Sequence, residues 1–127
     1  MKKTEIRTQN APLPVGPYSQ AVRVGDLLFV SGVLPLDLKT KLISQNIDQA
    51  TLLIFNHLEG ILREAGINKD NVVKTTIFMK DLNHFVEVNK LYAAYFEGVN
   101  VMPARSTIQV AKLPLDAPVE MEFVATF

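Results

Sequence analysis

Apolar positions recur along this chain with two different periods, and each change of period marks a new element. Leu27 to Ser31 opens with four consecutive apolar residues, which predicts a strand buried on both faces. Val72 to Met79 is β-branched and aromatic and predicts a central strand. Nearer the C-terminus, Ser106, Ile108 and Val110 alternate with Thr107 and Gln109. Val119, Met121, Phe123, Ala125 and Phe127 then alternate with Glu120, Glu122, Val124 and Thr126. A period of two sends one set to a core and the other to the opposite sheet face. Between these two runs, Lys112 to Pro118 carries two prolines and Asp116, which predicts a turn and a hairpin.

Helical spacing replaces this alternation twice. Ile47, Ala50, Ile54, Leu58, Ile61, Leu62 and Ala65 form one stripe, with Asn46 as N-cap and Gln49 at the capping-box position. Gly66 predicts its end at Glu64 or Ala65. Phe85, Val88, Tyr92, Tyr95 and Phe96 form a second stripe, capped by Asp81 or Asn83 and closed by Gly98. Before these helices, Pro12, Pro14 and Pro17 force an extended loop, preceded by residues such as Ile6 that suit a sheet edge. A strand through Val24 follows, then Gly25-Asp26 as a type II′ hairpin turn. Gly32 marks a bulge or a close backbone approach, and Pro35 to Lys41 is a loop. The expected order is β-β-α-β-α-β-β, an α+β fold in which two helices cover one face of a single sheet. The other face then carries Val, Thr, Ile and Phe side chains with nothing over them, which points to an oligomer interface.

With 127 residues, this reads as one domain spanning 1–127. Thirteen basic residues balance thirteen acidic ones, so no overall field recruits nucleic acid or anionic lipid. The absence of cysteine excludes disulfides, a thiolate nucleophile and cysteine-based metal centres. Neither a signal peptide nor an apolar run of membrane-spanning length is visible, and a cytoplasmic protein is the expectation.

Most chemistry-bearing residues have an ordinary reading. His57 and His84 lack metal-ligand partners at helical spacing and read as solvated or locally hydrogen-bonded. Ser19 and Ser31 lack a nucleophile elbow, and Gly16, Gly25 and Gly32 fit no phosphate-binding loop. Tyr92, Tyr95 and Phe96 follow the helical period and read as core. Of four arginines, Arg105 alone stands between a proline loop and a strand expected to be buried. A hairpin would put it on the same sheet as the glutamates of the neighbouring run. From the residues alone, that pairing is either a structural ion pair or the two ends of a small-acid site.

Several stretches then carry a resemblance over essentially the whole chain. Gly16-Pro17-Tyr18-Ser19-Gln20-Ala21, Phe29-Val30-Ser31-Gly32, Val73 to Leu82, Phe85-Val86-Glu87-Val88-Asn89, Pro103-Ala104-Arg105-Ser106, Ala111-Lys112-Leu113-Pro114 and Val119-Glu120-Met121 together resemble the RidA (YjgF) family. The resemblance implies a chorismate-mutase-like fold and a homotrimer with sites between subunits. It implies hydrolysis of 2-imino or 2-enamino acids, such as 2-aminoacrylate, to 2-keto acids and ammonia, with no metal or cofactor. By the same resemblance, Arg105 binds the substrate carboxylate and Glu120, kept ionised by Arg105, activates water. Tyr18 closes the pocket, Asn89 holds the leaving nitrogen, and Gly32 and Thr107, with Ser31 beside them, complete the substrate's hydrogen bonds.

This chain departs from the family pattern at three positions. Thr107 stands where cysteine is frequent, Val33 where glutamine is frequent, and Lys41 where a loop glycine is common. Competing readings are a non-catalytic trimeric binder of 2-keto acids, an RNA-directed inhibitor of translation, and chorismate mutase chemistry by fold analogy alone. Neutral charge opposes the RNA reading, and a single well-placed cation opposes a dicarboxylate substrate.

Overall fold

The computed structural model describes all 127 residues. Its strands are β1 (Lys3–Ile6), β2 (Ala21–Val24), β3 (Leu27–Val33), β4 (Val72–Met79), β5 (Ala104–Gln109) and β6 (Val119–Thr126). Helix α1 (Ile47–Ala65) precedes β4, and α2 (Phe85–Tyr95) precedes β5. The six strands form one mixed sheet in the order β1-β2-β3-β6-β4-β5. Every pairing is antiparallel except β4 with β5, the pair that α2 connects. The architecture is the expected single sheet with two helices, with β1 added at the edge where Ile6 suggested pairing.

The expected hairpin between the last two runs does not form. β4 lies between β5 and β6 and pairs with both. The predicted turn at 112–118 instead carries the chain past β4, through a 3₁₀ turn at Pro114–Asp116. β5 is thereby an edge strand, mostly exposed rather than buried.

Parity along the strands divides the sheet into a covered and an open face. Val119, Met121, Phe123 and Ala125 of β6 are buried in one core with Ile54, Leu58 and Leu62 of α1, Val88 of α2 and Phe96 just after it. Each large side chain buried this way contributes about 1.5–3 kcal/mol. Leu28 and Val30 of β3 join that core, but Leu27 and Phe29 on the other face are 40% and 46% exposed. The expectation that this run is buried on both faces is therefore corrected: only alternate residues are covered within one chain. Phe29, Val124, Phe78 and Ile108 share the open face with Glu120 and Glu122, as the pairing register requires.

Local signals hold at most boundaries. Asn46 Oδ1 accepts the Gln49 N–H at 2.9 Å, worth about 1 kcal/mol. The Gln49 side chain contacts Ser44 Oγ instead of completing a capping box. Helix α1 ends at Ala65, before Gly66. Asp81 caps the 3₁₀ turn Leu82–His84 that leads into α2, and α2 itself has no side-chain cap. Gly25 has φ +58° with Asp26 on the ordinary side, as a type II′ turn requires. No helix is long and apolar enough to cross a membrane.

Candidate functional site

Arg105 lies on the covered-face side of edge strand β5, in register with buried Thr75. Its Nη1 donates to Asn89 Oδ1 at 2.7 Å. Its guanidinium lies 4.7 Å from the Tyr92 ring centroid and 5.3 Å from that of Phe85. The Tyr92 hydroxyl donates to Thr75 Oγ1 at 3.0 Å, which fixes the ring beneath the arginine. An amide oxygen and two ring faces orient this cation without neutralising it. The only Lys or Arg ion pair in the chain is Lys80–Asp116, so Arg105 has no carboxylate partner. Thr107 follows two residues on and faces the same way; its Oγ1 is buried without a hydrogen-bond partner.

Glu120 lies on the open face of β6, opposite Phe78. The register between β3 and β6 slips between Val30 and Val33, so Ser31 and Gly32 form a bulge beside it. A Cβ at position 32 would lie 2.9 Å from both Glu120 Cδ and Oε2. Only glycine allows the carboxyl to seat against this backbone. Burial pushes the Glu120 pKa up, and Glu122, two residues away on the same face, pushes it further. Ser31 Oγ donates to the Ser19 carbonyl at 2.6 Å, tying the bulge to the N-terminal loop. Tyr18, half exposed, borders a cleft shared with Ser31 and Gly32.

The seven sequence-predicted residues thus fall into two groups. Arg105, Asn89 and Thr107 gather at the β5 edge under α2; Tyr18, Ser31, Gly32 and Glu120 gather at the β3 bulge. Two strand spacings and three residues separate Arg105 from Glu120 in the register, roughly 14 Å between Cα atoms. The two side chains also leave opposite faces of the sheet. The expectation that Arg105 keeps Glu120 ionised is therefore corrected for a single chain. Glu120 has no cation beside it, and its proton is held more tightly than usual.

Sequence reasoning read Phe85 and Tyr92 only as core, whereas they are also the platform for Arg105. Asn89 lies between them at helical spacing, and an amide interrupting an aromatic stripe was the available signal. The influence of Glu122 was likewise legible as a like charge two positions along a strand. His57 is buried, with Nε2 2.7 Å from the Leu36 carbonyl oxygen, so its hydrogen bond reaches a distant loop rather than its own turn. Burial lowers its pKa. No three His, Asp or Glu side chains converge as a metal-ligand set.

The fold and these two groups define an α+β protein with an unpaired guanidinium at one sheet edge and a carboxyl of raised pKa on the opposite face. Comparison with known proteins makes the assignment more specific. The family described as Endoribonuclease L-PSP matches residues 8–127, and the chain belongs to this family, also called RidA or YjgF. It is 40% identical over 126 residues to the 2-iminobutanoate/2-iminopropanoate deaminase of Salmonella typhimurium, covering 98% of each chain. It is 44% identical over 127 residues to the chloroplastic Reactive Intermediate Deaminase A of Arabidopsis thaliana, covering 99% of this chain and 67% of that one. A Rid family protein from Yersinia pestis superposes with a TM-score of 0.96 at 41% identity, covering 99% of this chain and all of the other. Escherichia coli TdcF with bound serine superposes with a TM-score of 0.92 at 34% identity, covering 98% of each chain.

Proposed function

We propose that this protein hydrolyses 2-imino and 2-enamino acids, such as 2-aminoacrylate, to 2-keto acids and ammonia, at sites completed between copies of the chain in a homotrimer. The observation that carries the reading is the uncompensated guanidinium of Arg105. It is oriented by Asn89, Phe85 and Tyr92 yet paired with no carboxylate, as a receptor for an incoming carboxylate should be. A relative named as a 2-iminobutanoate/2-iminopropanoate deaminase at 40% identity, and one named as a reactive intermediate deaminase at 44%, support the reaction. Serine in the similar TdcF supports a site for small acids.

The chemistry follows from the two groups. Arg105 of one copy holds the substrate carboxylate, and the opposite-facing Glu120 group of a second copy supplies the remaining parts. The half-exposed apolar side chains Leu27, Phe29 and Ile108 give the copies a surface on which to associate. Water attacks C2 of the imine and passes a proton to Glu120. Glu120 returns that proton to the carbinolamine nitrogen. It then takes the hydroxyl proton as the C2 carbonyl forms and the C–N bond breaks, and the departing ammonia carries that proton away as ammonium. An enamine is first protonated at C3 to reach the imine. Oδ1 of Asn89 is committed to Arg105, which leaves its N–H groups to hold the nitrogen. Tyr18 closes the site, and the backbones of Gly32 and Thr107, with Ser31 adjacent, complete the hydrogen bonds. Because an imine is already electrophilic, positioning and water activation suffice.

The test generates an imino acid in situ with an amino-acid oxidase, in competition with semicarbazide, and follows keto-acid release. Wild type should outcompete the trap, and Arg105→Ala should lose about 100-fold or more in kcat/KM. Capture of 2-keto acid without turnover would replace the enzyme by a metabolite binder. A second reading, RNA cleavage, draws support from the description of the family as endoribonuclease. Zero net charge opposes it, and a salt-dependent titration with RNA decides it.

A further inference from the structure

The cleft bordered by Tyr18, Ser31 and Gly32 extends away from Glu120 between the N-terminal loop and the end of β3. Its walls are apolar, with Leu34, Leu36, Ile43 and Ile61 among them, and Leu115 lies at its edge, 66% exposed. The other polar side chains on it are already engaged. Gln20 Oε1 accepts the Thr8 N–H, and its Nε2 donates to the carbonyls of Thr8, Ala11 and Pro12. Ser31 Oγ donates to the Ser19 carbonyl. A polar group entering the cleft would lose water and find little in exchange, whereas an apolar group would lose nothing.

Leu115 reaches this rim through an unusual backbone. Its φ and ψ are +56° and +23°, and Asp116 follows with φ +54°. Two successive left-handed residues, neither glycine, persist only where the surroundings hold them, and such strain gathers at ligand-binding segments. Here the restraints are explicit. Lys80 Nζ lies 2.8 Å from Asp116 Oδ1, and Gln45 Nε2 donates to the Asp116 carbonyl at 3.2 Å. Asp116 N–H donates to the Leu113 carbonyl at 3.0 Å. The turn is thus pinned on the side away from the cleft.

The geometry points to Leu115 as a specificity-determining residue, the outer wall of a cleft that takes the apolar side chain of the 2-imino acid. This rests on the function proposed above. The cleft begins at Gly32, against which the Glu120 carboxyl seats, so a substrate whose C2 meets water at Glu120 has its remaining substituent at the cleft mouth. The cleft offers about 70 Å³. A single water needs about 10–15 Å³ on the same measure, so roughly five heavy atoms fit. That selects isobutyl, sec-butyl or methylthioethyl side chains over a methyl group, which leaves the cleft unfilled, and over a benzyl group, which exceeds it.

The experiment compares kcat/KM for imines generated from alanine, leucine, methionine and phenylalanine. Wild type is set beside Leu115→Gly and Leu115→Asn, both of which tolerate the left-handed backbone. Wild type should favour the leucine- and methionine-derived imines over the alanine-derived one by about tenfold or more. Both variants should lower that ratio by about fivefold, while their melting temperatures stay at or above wild type. Equal loss on every imine would make Leu115 a merely structural residue and overturn the assignment. Wild-type turnover that depends on Arg105 but ignores side-chain size would also overturn it, leaving the deaminase reading intact. Absence of turnover on every imine would remove both.

Discussion

The two halves of the candidate site solve opposite electrostatic problems. Arg105 stands on an exposed edge strand, where water and two aromatic faces sustain its charge and an amide fixes its direction. Glu120 stands on an inner strand, where burial and Glu122 disfavour its charge. One half favours a charge and the other disfavours one. A stability-driven design would pair them, because an uncompensated half-buried charge is costly. Their separation within one chain leaves each without an opposite charge beside it.

Neutralising the second half should have the larger effect. Glu120→Gln removes the proton acceptor and should lower kcat by about 10²- to 10⁴-fold. The same variant reports on the electrostatics. Because the Glu120 pKa is raised on folding, the folded chain holds this proton more tightly than the unfolded one. That stabilisation is complete below the ordinary glutamate range near pH 4 and is lost as pH rises through the raised folded value. Glutamine has no such proton. The melting temperature of wild type should therefore fall relative to Glu120→Gln as pH rises from about 4 to 7. The opposite slope would mean that, in the assembled trimer, the guanidinium of a neighbouring copy outweighs burial and Glu122 at Glu120.

A smaller perturbation tests position rather than charge. In Gly32→Ala, the new methyl group would meet the Glu120 carboxyl at 2.9 Å, closer than real Cβ contacts. The carboxyl is the far end of a flexible side chain, so it should shift while the bulge stays. The expected result is a fall in kcat of about 10- to 100-fold with little change in melting temperature. The Arg105 half should be untouched, so KM should move less than kcat. A variant with full activity would show that catalysis does not depend on where β3 seats this carboxyl.

What was legible in the sequence was local. The alternation in β6, the stripe of α1, its Asn46 cap and its end before Gly66 each follow from residues a few positions apart. Gly32 announced a close approach, and the group it approaches is Glu120. Strand order was not legible, because nothing local tells β5 to pair in parallel with β4 rather than antiparallel with β6. That single topological fact moves Arg105 to the edge and to the face opposite Glu120. Leu27 to Val30 failed for a related reason. A continuous apolar run specifies burial but not by what, and within one chain only alternate members are covered.

The smallest expected effect lies outside both halves and provides their control. Lys41 has φ +63°, the left-handed region that glycine adopts without steric cost. Its N–H donates to the Asp37 carbonyl at 2.8 Å, closing a turn whose Asp37 carboxylate also accepts the N–H groups of Lys39 and Thr40. The turn is thus held by its hydrogen bonds, and the lysine side chain contributes only strain. A left-handed residue with a Cβ costs about 1–2 kcal/mol. Glycine removes that strain but gives back about 0.5–1 kcal/mol in unfolded-chain entropy. Lys41→Gly should therefore gain roughly 0.5 kcal/mol, a rise of about 2 °C in melting temperature. Keto-acid release should not change. If the rise comes with altered kcat or KM, this loop communicates with the cleft wall at Leu36 and Ile43, and the two halves are not the whole of the site.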